Sequence, residues 1–239
     1  MAGRALPPRR GRKEAAERIR TQALGETPAV NLHLAPVPPD DAEIQFPQED
    51  TAVRISVSNV YPAGFKNPHV LSPWPNSPNS CEQNQLARIE CAPDCGDDCE
   101  NSHLQKQEKW AKCRVKETGY AGNGLHACED VKRGQTIGPY AGKIILGSHI
   151  RSGDKYNMKL DENLYINAEH IGYLTRYMNH RCINPNCHTE RRFVKGLEQV
   201  GLFASKDIQA GEELTFDYGC TARDDTFTCK CADCTSQAP

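Results

Sequence analysis

The first eighty residues contain no cysteine, and residues 81–239 hold only four of the chain's 16 prolines. Nowhere is there an apolar run near the ~18 residues a membrane-spanning helix needs. The opening MAGRALPPRRGRK lacks the apolar core of a secretory signal, so a soluble intracellular protein with no membrane association is expected. Neither sign of charge prevails: 29 Lys and Arg face 31 Asp and Glu, a net −2, which excludes a strong nucleic-acid signature for the chain as a whole. No G-x-G-x-x-G follows a predicted strand and no alternation of strand and helix is visible, which argues against a dinucleotide-binding α/β domain. No internal repeat is present.

The 12 cysteines all lie at or after Cys81. In a reducing compartment, clustered cysteines read as zinc ligands rather than disulfides. The proline-rich residues 1–80, with Pro38-Pro39 and PWPNSPNS, are expected to be largely unstructured. Within them, residues 12–24 suit a short helix and residues 51–60 one strand. The basic run Arg9, Arg10, Arg12 and Lys13 reads either as a solvated tail or as a nuclear-localisation or DNA contact. Residues 81–239 read as a mainly β globular domain. Strands are predicted over 136–142, 143–146, 156–160, 164–168, 191–195, 200–205 and 213–218, separated by Gly, Asn and Asp. One helix is predicted over 170–178.

Two cysteine clusters carry metal-site spacing. Cys81, Cys91, Cys95 and Cys99 stand in CEQNQLARIECAPDCGDDC, where tight turns can bring four thiolates to about 2.3 Å from a tetrahedral zinc. Cys229, Cys231 and Cys234 stand in CKCADC and need a fourth ligand from elsewhere, for which Cys182 and Cys187 are the natural candidates.

Three stretches carry the chemistry: GYAGNGLHACEDVKRGQTIGPYAG (119–142), IGYLTRYMNHRCINPNC (171–187) and VGLFASKDIQAGEELTFDYG (200–219). In this order and spacing they resemble the signature blocks of the SET domain, a family of protein-lysine methyltransferases. CKCADC resembles its post-SET zinc segment, and residues 89–107 the second half of the cysteine-rich AWS segment that precedes some SET domains. The resemblance implies a largely disordered region 1–80, an AWS-like segment 81–112, a SET domain 113–220 and a post-SET segment 221–239. The implied fold is a set of small β-sheets around a C-terminal pseudoknot, with zinc-binding flanks.

The same resemblance implies S-adenosylmethionine as cofactor, two structural zincs, a lysine of the histone H3 tail or nucleosome as substrate, and a nuclear, chromatin-associated protein. Gly122, Asn123, Gly124 and Leu125 would form a tight turn lining the cofactor. Tyr140, Arg176, Asn179, His180 and Tyr218 would also contact it. Tyr218 matches the catalytic tyrosine and Tyr156 the tyrosine of the lysine channel, with Phe216 and Phe227 completing an aromatic wall. Motif order selects Cys182 as the fourth ligand beside Cys229, Cys231 and Cys234.

The chemistry suits such a site. A methyl acceptor must be a neutral amine, and deprotonating lysine at pH 7 costs about 4–5 kcal/mol. An aromatic channel disfavours the ammonium, and alignment of two reactants can supply up to about 7–11 kcal/mol.

The chain departs from the family pattern at Asn123 between the glycines, at Pro139 and Lys143 in place of acids, and at Arg181 in place of serine. One extra residue precedes Pro185-Asn186, and the tail reads C-x-C-x2-C. Alternative readings are a non-histone lysine methyltransferase and a catalytically weak SET-like chromatin-binding module.

Overall fold

The computed structural model describes residues 54–62, 81–92, 95–96, 99–151, 153–219, 229 and 231. The expected helix over 12–24, the basic run at 9–13, Phe227 and Cys234 lie outside them. The chain divides into two compact units. Of the described residues, those within 81–106 and 191–199 form the smaller, and those within 54–62, 107–190 and 200–231 the larger.

In the smaller unit, a seven-residue helix α1 (Cys81–Ala87) was not legible in the sequence. It ends at Arg88, whose φ of 59° turns the chain back so that the Ile89 N–H donates to the Asn84 carbonyl at 2.8 Å. Ile89 then bridges Phe193, and Ala87, Ile89, Leu104, Phe193 and Val194 are buried. Glu90 is wholly buried; its carboxylate accepts the Leu104 N–H at 2.7 Å and the Gln105 side-chain amide at 3.2 Å. Burial raises its pKa, and these donors pull the other way. A two-residue turn, Lys195 and Gly196 with φ of 50° and 77°, closes a hairpin between Val194 and Leu197.

The larger unit is built of short strands. They are β1 (Arg54–Ile55), β2 (Cys113–Thr118), β3 (Gly122–Ala127), β4 (Thr136–Tyr140), β5 (Lys143–Leu146), β6 (Asn157–Lys159), β7 (Leu164–Asn167), β8 (Ile171–Gly172), β9 (Asn179–His180) and β12 (Thr215–Phe216). Two longer strands, β10 (Cys187–Val194) and β11 (Leu197–Ala204), run through residues of both units. Antiparallel β2 and β3 form one hairpin, β5-β7-β6 a three-stranded sheet, and β11 pairs with β4. Leu125, Ile137, Ile144, Ile166, Met178, Leu202, Ile208 and Leu214 are fully buried and form the core. β12 lies parallel to β9, Thr215 opposite Asn179 and Phe216 opposite His180, which fastens the last described strand to a mid-chain segment.

The strand at 143–146 stands where it is predicted, and β10 begins four residues earlier than the predicted 191–195. The hairpin β2–β3 was not predicted over 113–118, where Arg114, Lys116 and Glu117 interrupt the apolar pattern. The predicted helix at 170–178 is instead β8 and a single 3-10 turn Leu174–Tyr177, with β9 following directly. All four residues of that turn are buried, so the segment has no solvent face on which an amphipathic helix could rest. The expected strand at 51–60 is represented by β1 and a bridge from Val60 to Lys143.

Candidate functional site

Strand β3 carries Gly122, Asn123, Gly124 and Leu125. These were expected in a tight turn, but they are strand residues; the reversal is at 119–121, before them. Gly122 uses a positive φ of 75°. Gly124 does not, and its lack of a side chain has another reason. A Cβ there would lie 2.5 Å from Glu213 Oε1, 2.6 Å from Thr118 Cγ2 and 3.0 Å from Asn179 Nδ2.

Pairing of β9 with β12 brings Asn179 and His180 against the segment that ends in Tyr218. Asn179 Nδ2 donates to Glu213 Oε1 at 2.7 Å and to the Asn123 carbonyl at 3.2 Å. The Tyr218 N–H donates to His180 Nδ1 at 3.1 Å, and the Tyr218 hydroxyl to the Met178 carbonyl at 2.7 Å. The Tyr218 ring lies 5.1 Å from His180 and 4.8 Å from Phe216, centroid to centroid, and stays partly open to solvent.

Beside it, the buried Arg176 guanidinium stands 3.7 Å over the Tyr156 ring and 4.9 Å over the Tyr177 ring. It donates to the Tyr177 hydroxyl at 2.9 Å and to the Glu169 carbonyl at 3.3 Å. Tyr140 is buried, which drives its phenol pKa upward, and neighbouring Tyr218 pushes the same way. Tyr140, Tyr156, Arg176 and Tyr218 thus gather in one aromatic region with a single buried cation. A cavity of about 310 Å³ opens nearby, lined by Tyr120, His180, Arg181, Asn186, Glu213 and Cys231 among others.

Glu213 and Tyr120 had no assigned role in the sequence, and Asn186 was noted only as part of its motif. Glu213 links Asn179 with Tyr120, whose hydroxyl donates to Glu213 Oε2 at 2.7 Å. Asn186 mimics a strand neighbour: its amide donates to the Glu213 carbonyl and accepts the Thr215 N–H, each at 2.8 Å. The only signal for Glu213 was an acid inside GEELTFDYG, which a solvated turn would also supply.

The four sulfurs of Cys81, Cys91, Cys95 and Cys99 lie within 4.8 Å of one another. Cys81 Sγ is 3.5 Å from Cys91 Sγ and 3.7 Å from Cys99 Sγ, near the roughly 3.8 Å that four sulfurs at 2.3 Å from a tetrahedral zinc require. Amides of Asn84 and Asn101 donate to Cys91 Sγ at 3.6 and 3.4 Å. Burial pushes the Cys91 thiol up, yet those donors hold it below the ordinary value, while hydrogen bonds to its neighbours push Cys81 up to about 12. Thiols so crowded ionise together only if a cation neutralises them, so the donor set fits zinc.

His180, Cys182 and Cys229 form a second group that could hold a metal, with Cys182 Sγ 3.3 Å from Cys229 Sγ. Cys231 is buried and its N–H reaches Cys229 Sγ at 3.5 Å, whereas Cys187 is buried in β10. His180 Nε2 lies 3.0 Å from Cys182 Sγ. Because Nδ1 already accepts the Tyr218 N–H, a neutral imidazole carries its proton on Nε2 and donates to the sulfur. In that tautomer His180 supports the Cys182 sulfur rather than offering a ligand nitrogen.

Residues 122–219 match the SET domain family. The chain carries a SET domain. Over 147 residues, 56% of its length, it is 38% identical to a histone-lysine N-methyltransferase of Aspergillus oryzae described as H3 lysine-36 specific, and it covers 15% of that protein. Over 148 residues it is 36% identical to the histone-lysine N-methyltransferase ASHH2 of Arabidopsis thaliana, of which it covers 8%. It therefore spans a small part of these relatives. A crystal structure of KRYPTONITE in complex with mCHH DNA, an H3(1-15) peptide and SAH matches 76% of the chain and 44% of that protein, with TM-score 0.61 and 21% identity, which shows a SET fold. Among the described residues, no helix is long and apolar enough to cross a membrane.

Proposed function

We propose that the chain is an S-adenosylmethionine-dependent protein-lysine N-methyltransferase acting on the histone H3 tail, with lysine 36 as the first position to test. The observation that carries this reading is Tyr218. Its hydroxyl is held by the Met178 carbonyl, and its ring sits against Phe216 and His180, whose neighbour Asn179 reaches back to the glycine strand. Catalytic, cofactor and channel roles go to the residues the family motifs mark. Tyr218 and Tyr156 face the acceptor, and Gly122, Asn123, Gly124, Leu125, Tyr140, Arg176, Asn179, His180 and the ring of Tyr218 hold the cofactor. Phe216 and Phe227 line the channel.

The cofactor, when bound, supplies an electrophilic methyl on a sulfonium. This chain's residues do the rest. The Tyr156 and Phe216 rings exclude water, and the Arg176 cation stacked on Tyr156 disfavours a second positive charge, so the acceptor lysine is held neutral. The Tyr218 oxygen and the Met178 carbonyl orient that amine. Zinc would be held by Cys81, Cys91, Cys95 and Cys99 in the AWS-like segment, and by Cys182, Cys229, Cys231 and Cys234 in the post-SET segment. It plays a structural part at both. Chromatin and the nucleus are the proposed setting, and the basic run at 9–13 the proposed DNA contact.

The test is methyl transfer from labelled S-adenosylmethionine to nucleosomes carrying unmodified H3 or H3 with lysine 36 replaced by arginine. Label on the first alone supports the assignment. Label on both moves the acceptor to another lysine. Saturable cofactor binding without transfer to any histone or peptide points to a binding module or a non-histone substrate.

A further inference from the structure

We infer that Glu213 is the positioning residue of the cofactor site, acting through Asn179 and the Gly122-Asn123-Gly124 strand; the inference rests on the reading of those residues as the cofactor site. The two oxygens of its carboxylate serve two distant segments. Oε1 accepts from Asn179 Nδ2 and Oε2 from the Tyr120 hydroxyl, both at 2.7 Å and across 34 and 93 residues of sequence. Hydrogen bonds to a carboxylate are short and stronger than neutral ones. Each amide hydrogen of Asn179 has a carbonyl or carboxylate acceptor, Asn123 O and Glu213 Oε1, so the amide plane is set from both sides.

Glu213 itself stands on a rigid base. Its carbonyl accepts from the buried Asn186, its backbone bridges His126, and the next N–H, of Leu214, donates to the Leu125 carbonyl at 2.7 Å. The carboxylate fills the space that a side chain at position 124 would need. It also lines the cavity shared with Tyr120, His180 and Arg181. The glycine strand, the turn before it and the Asn179 strand are therefore registered to one another through a single side chain. Among the described residues, these hydrogen bonds involve no cysteine, although Cys231 walls the same cavity.

The test uses the full zinc-loaded chain, with S-adenosylhomocysteine as the titrant in calorimetry, beside melting temperature and zinc content. Glu213→Ala removes both acceptors and is expected to weaken binding about tenfold or more. Glu213→Gln restores the geometry without the charge, since its carbonyl can accept from Asn179 while its N–H donates to the Tyr120 oxygen. It is expected to stay within about threefold of the unsubstituted chain. Tyr120→Phe, at a partly exposed site, keeps the test decisive should Glu213→Ala not fold, and is expected to weaken binding several-fold. Unchanged affinity in Glu213→Ala or Tyr120→Phe overturns the inference, as does a Glu213→Gln variant as weak as Glu213→Ala. Failure of the unsubstituted chain to bind overturns the cofactor-site reading itself, and the inference with it.

Discussion

At the scale of the residue, the hydroxyl of Tyr218 and the missing side chain of Gly124 can each be removed from the argument by one substitution. Tyr218→Phe keeps the ring between His180 and Phe216 and deletes only the group that donates to Met178. A preorganised polar group aimed at the reacting centre is worth about 10²-fold in kcat, and an interaction used in the transition state alone leaves ground-state binding intact. Methyl transfer should therefore fall by that factor in a radiolabel assay, while calorimetric affinity for S-adenosylhomocysteine stays near that of the unsubstituted chain. Gly124→Ala acts differently. Its φ is not in the left-handed region, so the backbone accepts alanine, and the cost comes from the methyl group meeting Glu213 Oε1 and Thr118 Cγ2. Displacing the carboxylate should lower cofactor affinity about tenfold, and overpacking should lower the melting temperature by about 2–10 °C. Tyr218 and Asn179 could be singled out in the sequence because the motifs that hold them are dense and ordered. Glu213 was not, because its role depends on Tyr120 lying 93 residues away in sequence and touching it in space.

Elements were legible where burial is regular. KIIL over 143–146 is an edge strand, paired along its length with β7 and bridged by Val60 at Lys143, and its two isoleucines suit that sheet. The segment 213–218 has equally good strand chemistry, yet only Thr215–Phe216 forms a strand; Glu213 makes an isolated bridge to His126, and the Asn186 side chain takes the Glu213 carbonyl and the Thr215 N–H. No periodicity reports a side chain standing in for a strand. Helix α1 escaped notice for the opposite reason: CEQNQLA buries only Asn84 and Ala87, too little apolar surface for a stripe. Asn84 faces Cys91 Sγ, and so does Asn101, which also donates to the Ile89 carbonyl at 2.8 Å. These amides orient and stabilise a thiolate in the way outer-shell partners of zinc do, and removing such a partner costs about 10–100-fold in metal affinity. Asn101→Ala should weaken one of two bound zincs by that factor in competition against a chromophoric chelator, with the second equivalent unaffected. Equal weakening of both, or of neither, would contradict the assignment of Asn101 to the first cluster.

For the molecule as a whole, two opposed pH dependences meet. The acceptor must be a neutral amine, and lysine's ordinary pKa is about 10.4, so transfer should accelerate as pH rises from 7. The fold has a limit on the alkaline side. Burial lifts the Cys187 thiol from 9.0 to about 12, and lifts Cys113 and Tyr140 in the same direction. The folded chain thus favours the protonated forms. The stability contributed by burying Cys187 is complete below the unfolded value of 9.0 and is lost as pH rises from there toward about 12, because the unfolded thiol ionises first. Initial rates should climb between pH 7 and 9 while the melting temperature of the zinc-loaded chain stays level, and both should decline above 9. Parallel pH–rate and melting series separate the two effects. A rate that falls between pH 7 and 9 at constant melting temperature would contradict a neutral-amine acceptor, and the pH at which the climb levels off reads the pKa of the bound lysine.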